Sequence, residues 1–226
     1  MVTDGRGNVV LERLEPVQTA TNDRFVVGAR EDGTGYRGNW QITAYALCAN
    51  PLPGYGILPS TSGSPSSNSP QSTISFCIGQ TQVGFGGRIN GSAGQVHLTD
   101  LVRDSNGALS FTLIAAQEDA NGFAGAWTVT AYAVCASVPA NFTPASATTP
   151  ASSANKSATV SCPAGTLVHG AGGQLTPAAS GLVNRSLVID NIAIDAQLRS
   201  VTVRAVEDEA GTGAIWSVTA FALCAP

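Results

Sequence analysis

Three stretches of the chain share one pattern of apolar and polar positions, at residues 40–49, 127–136 and 216–225. Each begins with tryptophan, alternates small apolar residues with Thr, Ser or Gln, and ends in Cys-Ala. Because successive side chains of a strand point to opposite faces, this period of two predicts a β-strand in each stretch. Both faces of these strands are substantially apolar, so we expect burial on both sides. The chain therefore contains an internal triplication.

The remaining apolar runs are short and are separated by Gly, Pro, Asn-Gly and Ser-Gly, and no window of the sequence shows convincing helical spacing. The sequence therefore predicts an all-β fold. Besides the three tryptophan strands, the predicted strands are 72–77, 95–102, 109–117, 158–162, 187–194 and 199–206, and glycine-rich segments lie at 83–89 and 168–175.

The triplication divides the chain into repeat 1 (1–49), repeat 2 (72–136) and repeat 3 (158–226). Segments rich in Pro, Ser, Gly, Ala and Thr at 50–71 and 137–157 separate the repeats and are expected to be extended linkers.

Repeat 1 is incomplete. Aligning Trp40 with Trp127 places Met1 opposite Arg88, so repeat 1 lacks its opening strand and the glycine-rich segment that residues 77–87 provide in repeat 2. We expect an unpaired sheet edge or an apolar groove there, covered by a neighbouring subunit or by an N-terminal region. Two arrangements of the repeats stay open: a pseudo-threefold prism with a shared core, and three small β-sandwiches in a row.

Cysteines open and close repeats 2 and 3, which predicts disulfides Cys77–Cys135 and Cys162–Cys224. Each bond would raise the free energy of unfolding by about 3 to 4 kcal/mol, because it closes a loop and so restricts the unfolded chain. Cys48 is left unpaired or available for an intermolecular bond. The alternative pairing, in which Cys48 joins Cys77 and Cys135 joins Cys162, leaves Cys224 unpaired instead. Disulfides at this density indicate an oxidising compartment, hence a secreted protein or one on a cell or virion surface.

The charge pattern bears on possible partners. The 226 residues carry a net charge of −4, and Lys156 is the one lysine. The arginines are scattered, so there is no basic stripe for nucleic acid. No apolar run is long enough to span a membrane.

Candidate chemistry is sparse. An acidic pair precedes each tryptophan strand, and its oxygens are candidate calcium ligands, although such turns need Asp, Asn and Gly for their conformation alone. The tryptophans are either core residues or platforms for stacking on sugars. The acidic pairs are Glu31-Asp32, Glu118-Asp119 and Glu207-Asp208, and the tryptophans are Trp40, Trp127 and Trp216. No catalytic motif accompanies His97 or His169, so we expect no enzymatic activity and no cofactor, and calcium at the acidic turns is the one candidate ligand.

The sequence Cys162-Pro163-Ala164-Gly165, a glycine-rich segment and a final Trp-x-Val-Thr-Ala-Tyr-Ala-Val-Cys-Ala strand resembles a repeat module of uncharacterised exported proteins of actinobacteria and their phages. The resemblance covers 158–226 best, then 72–136 with Ile78 in place of the proline, and only the second half of repeat 1. It implies surface display. We therefore expect a structural surface or fibre module that forms homo-oligomers or polymers, with a lectin-like glycan-binding module as the alternative.

Overall fold

The computed structural model describes residues 1–50, 52–67, 69–106, 109–178, 185–208 and 211–226. These ranges contain strands and no helix, which confirms the predicted all-β class, and so they hold no helix able to cross a membrane. The strands are β1 (Val2–Thr3), β2 (Val9–Val17), β3 (Arg24–Glu31), β4 (Gln41–Ile42), β5 (Gly56–Thr61), β6 (Gln71–Phe76), β7 (Thr81–Asn90), β8 (Val96–Asn106), β9 (Leu109–Glu118), β10 (Thr128–Ala136), β11 (Thr143–Thr148), β12 (Lys156–Ser161), β13 (Leu167–Pro177), β14 (Leu187–Ile194), β15 (Ser200–Glu207) and β16 (Trp216–Ala225).

Two of the sheets combine strands from neighbouring repeats. In the five-stranded sheet, ordered β3-β2-β7-β10-β5, the β2–β3 hairpin of repeat 1 pairs with β7 of repeat 2. In the six-stranded sheet, ordered β11-β16-β13-β8-β9-β6, the β8–β9 hairpin of repeat 2 pairs in the same way with β13 of repeat 3. The repeats are thus joined through hydrogen-bonded strands. The three-stranded sheet β12-β15-β14 and the small pair β1-β4 complete the described sheets.

The same irregularity marks one hairpin in each repeat. The pairing register shifts between Leu11 and Arg13 in β2, between Leu98 and Asp100 in β8, and between Ile189 and Asn191 in β14. A bulge adds one residue to a strand and increases its local twist. These bulges fix the correspondence between residues of the three hairpins, so Leu14, Leu101 and Ile192 are structurally equivalent.

The glycine-rich strands lie where neighbouring backbone comes closest. A Cβ atom on Gly86 of β7 would lie 2.3 Å from the carbonyl oxygen of Leu14, and one on Gly172 of β13 would lie 2.1 Å from that of Leu101. Only glycine fits at these positions, because any side chain would collide with the adjoining strand. The glycines therefore permit the pairing between repeats.

Strand placement departs from the sequence-based prediction in two regions. The expected linkers are not only connecting chain, because 50–71 contains β5 and 137–157 contains β11, which pair with β10 and β16. The strand predicted over 40–49 is wrong beyond Ile42, since β4 has two residues whereas β10 and β16 run to Ala136 and Ala225.

The core holds the tryptophans of repeats 2 and 3. Trp127 is 1% exposed and Trp216 is 0% exposed, and each packs within a separate apolar cluster made mainly by its own repeat. Both predicted disulfides are confirmed, Cys77–Cys135 and Cys162–Cys224, with Cα–Cα distances of 5.5 and 5.7 Å. Each bond ties the opening of its repeat to the last strand. Cys48 is free and exposed.

Candidate functional site

A glutamate ends the strand that precedes each tryptophan strand, and in repeats 1 and 2 its carboxylate accepts a hydrogen bond from the tryptophan. The indole Nε1 of Trp40 donates to Oε1 of Glu31 (3.0 Å), and that of Trp127 donates to Oε1 of Glu118 (3.3 Å). In repeat 3 the indole Nε1 of Trp216 has no such partner. A carboxylate that accepts an N–H in a buried site contributes about 1.5–3 kcal/mol. These glutamates hold the tryptophan strand against the preceding hairpin.

The aspartate of each acidic pair closes the turn that follows. Oδ1 of Asp32 accepts the backbone N–H groups of Thr34 and Gly35, both at 3.0 Å, and Oδ1 of Asp208 accepts that of Gly211 (3.0 Å). This is the pattern by which Asp stabilises a tight turn. Asp119 serves its turn similarly, through the N–H of Asn121. The acidic pairs predicted as calcium ligands thus use carboxylate oxygens for the fold, and no cluster of three or more His, Cys, Asp or Glu occurs in the described ranges.

The rings of Trp127 and Trp216, predicted either as core residues or as platforms for sugars, are fully buried and present no face to a ligand in this structure. The ammonium of Lys156 also covers the ring of Trp216, 3.4 Å from its centroid. Trp40 is half-buried and packs against the small cluster around Val2, where its indole is held by Glu31.

His97 is also an interior residue. It is 2% exposed, its Nε2 lies 3.4 Å from the amide nitrogen of Gln117, and burial lowers its pKa to about 4. A histidine held neutral in this way stabilises the fold only while it stays unprotonated. His169 lies on β13, at the register shift of that strand.

The most distinctive feature is the last strand of repeat 1. Residues 43–49 match the sequence of β10 and β16, yet they form no strand and are exposed except for Leu47, which is half-buried. In β10 and β16 nearly every residue is buried or half-buried, and each strand pairs with the glycine-rich strand of its own repeat. Residues 43–49 lack that neighbour, so nothing extends their pairing.

Repeat 1 retains only the end of its glycine-rich strand. In β1, Val2 pairs with Ile42 and Thr3 with Gln41, which is the register of Ile89 with Val129 and Asn90 with Thr128 in repeat 2. The pairing ends at Thr43, whose N–H donates to the carbonyl of Met1 (2.8 Å). The carbonyl of Thr43 accepts from the Met1 ammonium (2.9 Å). Met1 therefore takes the place of Arg88 and Gln174, and no described strand pairs with residues 44–49 beyond it.

β14 forms the opposite wall of this opening. β2 and β8 each pair on one side with the adjoining hairpin strand and on the other with a glycine-rich strand, whereas β14 pairs only with β15. A cavity of about 250 Å³ lies between the two walls and is lined by Tyr45, Ala46, Leu47, Ile194, Asp195, Ala196 and Leu198. We call the free side of β14 together with residues 43–49 the open edge.

Polar groups at the open edge are incompletely paired. Oδ1 of Asn191 is buried and has no hydrogen-bond partner among the described residues, whereas the equivalent Asp100 accepts from Nε2 of Gln174 (2.7 Å). The neighbouring Asp190 is 1% exposed and contacts Nη2 of Arg204 through one oxygen (2.8 Å). Burial raises the pKa of Asp190 to about 6. These side chains are buried like those of an interior strand, although among the described strands β14 pairs only with β15.

The sequence indicated the missing segment and the free Cys48, but it did not indicate which strands would adjoin the gap. Two signals could have helped. Glutamate precedes tryptophan by the same interval in all three repeats, which indicates a side-chain pair, and glycines recur at equivalent positions of repeats 2 and 3, which indicates a close approach of backbone.

Comparison of the chain with protein-family models, with curated proteins and with solved structures finds no match.

Proposed function

We propose that the protein is a non-enzymatic structural module of an extracellular or virion surface, which assembles with neighbouring subunits through its open edge. The observation that carries the proposal is the contrast between residues 43–49, exposed and unpaired, and the buried β10 and β16 of the same sequence pattern. A sheet edge of this kind binds another strand through main-chain hydrogen bonds.

The arrangement that we propose for the repeats is a pseudo-threefold prism. Besides the strand pairing of repeat 1 with 2 and of repeat 2 with 3, repeat 1 contacts repeat 3. Val10 packs with Val188 and Val206, and the site of a Cβ on Gly7 is 2.4 Å from the carbonyl oxygen of Glu207. The same close contact joins Gly94 of repeat 2 to Glu31 of repeat 1, at 2.0 Å. These contacts support a closed ring in which one of three sheets lacks its central strand.

The strand that completes the ring belongs, in this proposal, to another subunit. Within one molecule neither glycine-rich strand of the described chain can fill the open edge, because β7 is already paired by β2 and β10, and β13 by β8 and β16. Within the molecule their cysteines are also already bonded in disulfides. The stabilising disulfides favour an oxidising location for such an assembly.

Light scattering coupled to size-exclusion chromatography tests the assembly. We expect oligomers whose mass rises with protein concentration, and loss of those oligomers in Ala46→Arg, which places a long charged side chain at the open edge. Ala140→Arg is the matched control, because Ala140 is exposed in the segment before β11 and does not belong to the open edge. A strictly monomeric protein at high concentration, or equal effects of the two variants, contradicts the proposal.

A further inference from the structure

The two complete repeats show what the open edge demands of its occupant. We propose that it takes a strand of a neighbouring subunit that carries a glycine pair at the inner end and a cysteine at the outer end, and that this cysteine forms a disulfide with Cys48. This inference rests on the proposed function and specifies the chemistry of the partner strand.

The glycine pair that we infer in the occupant is indicated by two contacts that occur in both repeat 2 and repeat 3. Gly86 and Gly172 face a backbone carbonyl oxygen of the adjoining hairpin, as described above. Their neighbours face core side chains: a Cβ on Gly87 would lie 2.5 Å from Cδ1 of Ile114, and one on Gly173 would lie 2.6 Å from Cγ1 of Val203. A strand in either position therefore tolerates no side chain at two adjacent residues.

The same two obstacles exist at the open edge. The bulge register makes Ile192 of β14 equivalent to Leu14 and Leu101, so its carbonyl faces the first glycine position. Val27 of β3 pairs with Leu14 as Ile114 pairs with Leu101, so Val27 takes the place of Ile114 and Val203 and faces the second position. Because Met1 corresponds to Arg88, the glycine pair of the occupant lies next to Met1.

The cysteine that we infer in the occupant is indicated by the last strand of each complete repeat. Cys135 and Cys224 occupy the eighth position after their tryptophans and are bonded to Cys77 and Cys162, which precede the glycine-rich strands. Cys48 occupies the same position after Trp40 and is free and exposed. An occupant that follows the pattern of residues 77–87 brings its cysteine beside Cys48.

The bond forms by thiol–disulfide exchange. The thiolate of Cys48 attacks the sulfur of the partner cysteine while that cysteine is joined to a small thiol in a mixed disulfide. The new S–S bond forms, and the small thiol leaves with the electron pair of the broken bond. The proton lost by Cys48 goes to solvent, and the small-molecule disulfide that first loaded the partner cysteine is the oxidant.

A synthetic peptide with the sequence of residues 77–87, activated as a mixed disulfide with a small thiol, tests the inference on the intact chain. We expect one peptide to be joined to Cys48, seen as an added mass, together with slowed hydrogen exchange in residues 43–49. The control peptide has alanine in place of the glycine pair, and we expect it to react at least about tenfold more slowly. The Cys48→Ser variant should lose the covalent bond and keep the exchange protection.

Equal rates for the two peptides overturn the inference, because the reaction would then be simple modification of an exposed thiol. In a second arm of the experiment, the sequence of residues 77–87 is fused to the protein directly before Met1. If the joined segment bonds to Cys48 while the free peptide does not react faster than its control, the occupant comes from the same chain and the inference is wrong about its source. If the peptide binds as expected but the protein forms no oligomers, the chemistry inferred for the bound strand stands and the proposed self-assembly fails. If oligomers form and the peptide does not bind, the proposed assembly stands and the inferred glycine pair and cysteine are wrong.

Discussion

Replacing Gly172 by alanine tests how the repeats are joined. Gly172 lies on β13 at the point where this strand meets β8 of the preceding repeat. The added Cβ would lie 2.1 Å from the carbonyl oxygen of Leu101 and 2.5 Å from Cε2 of Phe85. The aromatic ring can turn aside, but the carbonyl oxygen belongs to a paired strand and moves only if the two strands separate.

We expect Gly172→Ala to lower the free energy of unfolding by about 2 to 4 kcal/mol, which is at the upper end for overpacking of a well-packed interior. For a chain of 226 residues this corresponds to a fall in Tm of about 5 to 12 °C. Gly56→Ala is the matched control. Gly56 is the first residue of β5, and a Cβ there would meet nothing within 4 Å. Alanine at that position restricts the unfolded chain and should change stability by less than about 1 kcal/mol, in the stabilising direction.

Urea denaturation followed by tryptophan fluorescence measures both variants, since Trp127 and Trp216 are buried in the two apolar clusters that the β8–β13 pairing brings together. We expect the midpoint for Gly172→Ala to fall well below that of the parent protein, and the midpoint for Gly56→Ala to stay at or above it. Equal midpoints for the two variants would show that β8 and β13 are not in contact at Gly172 and would refute the shared sheet.

Three further predictions concern the disulfides, the buried histidine and the free thiol. Replacing Cys162 and Cys224 together by alanine removes a bond that closes a separation of 62 residues, and should lower the free energy of unfolding by about 4 kcal/mol in urea titrations; a change below about 1 kcal/mol would contradict the stabilising role of the bond. Burial lowers the pKa of His97 in the folded protein to about 4 from its ordinary value of 6.5, so the unfolded chain binds the proton more tightly. The stability should therefore be complete above pH 6.5 and fall by about 3 kcal/mol as the pH drops to 4. In His97→Gln that component of the pH dependence should disappear, and an unchanged profile would show that His97 is not buried neutral. Of the five cysteines, only Cys48 should react with a maleimide in the folded, unreduced protein, as counted by intact mass; labelling of a second cysteine would contradict the disulfide assignment.

Much of the fold followed from the sequence because the relevant signals are local. The period-two pattern gave β14 and β16 their observed bounds, and cysteine positions at the ends of repeats gave both disulfides. The linker strands β5 and β11 were missed because their proline and serine content is typical of extended chain. Both are edge strands, where a missing N–H is tolerated, and each is held by an already buried neighbour.

The candidate site depended on information that the sequence carries only indirectly. Residues 40–49 have the composition of a buried strand, and local pattern alone predicts one there. Whether a strand forms depends on the glycine-rich neighbour, which is remote in sequence in the complete repeats and lacking in repeat 1. The role of β14 as the second wall depends on which repeats adjoin, and this is decided by sheet pairing between distant segments.

Hydrogen–deuterium exchange distinguishes an unpaired repeat 1 from a complete one, because the three equivalent tryptophan stretches can be compared within one molecule. We expect rapid exchange for the amides of residues 44–48, and exchange at least about a hundredfold slower for residues 131–135 and 220–224. Equal protection of all three stretches would contradict this expectation, since repeat 1 would then possess the strand pairing that the open edge lacks.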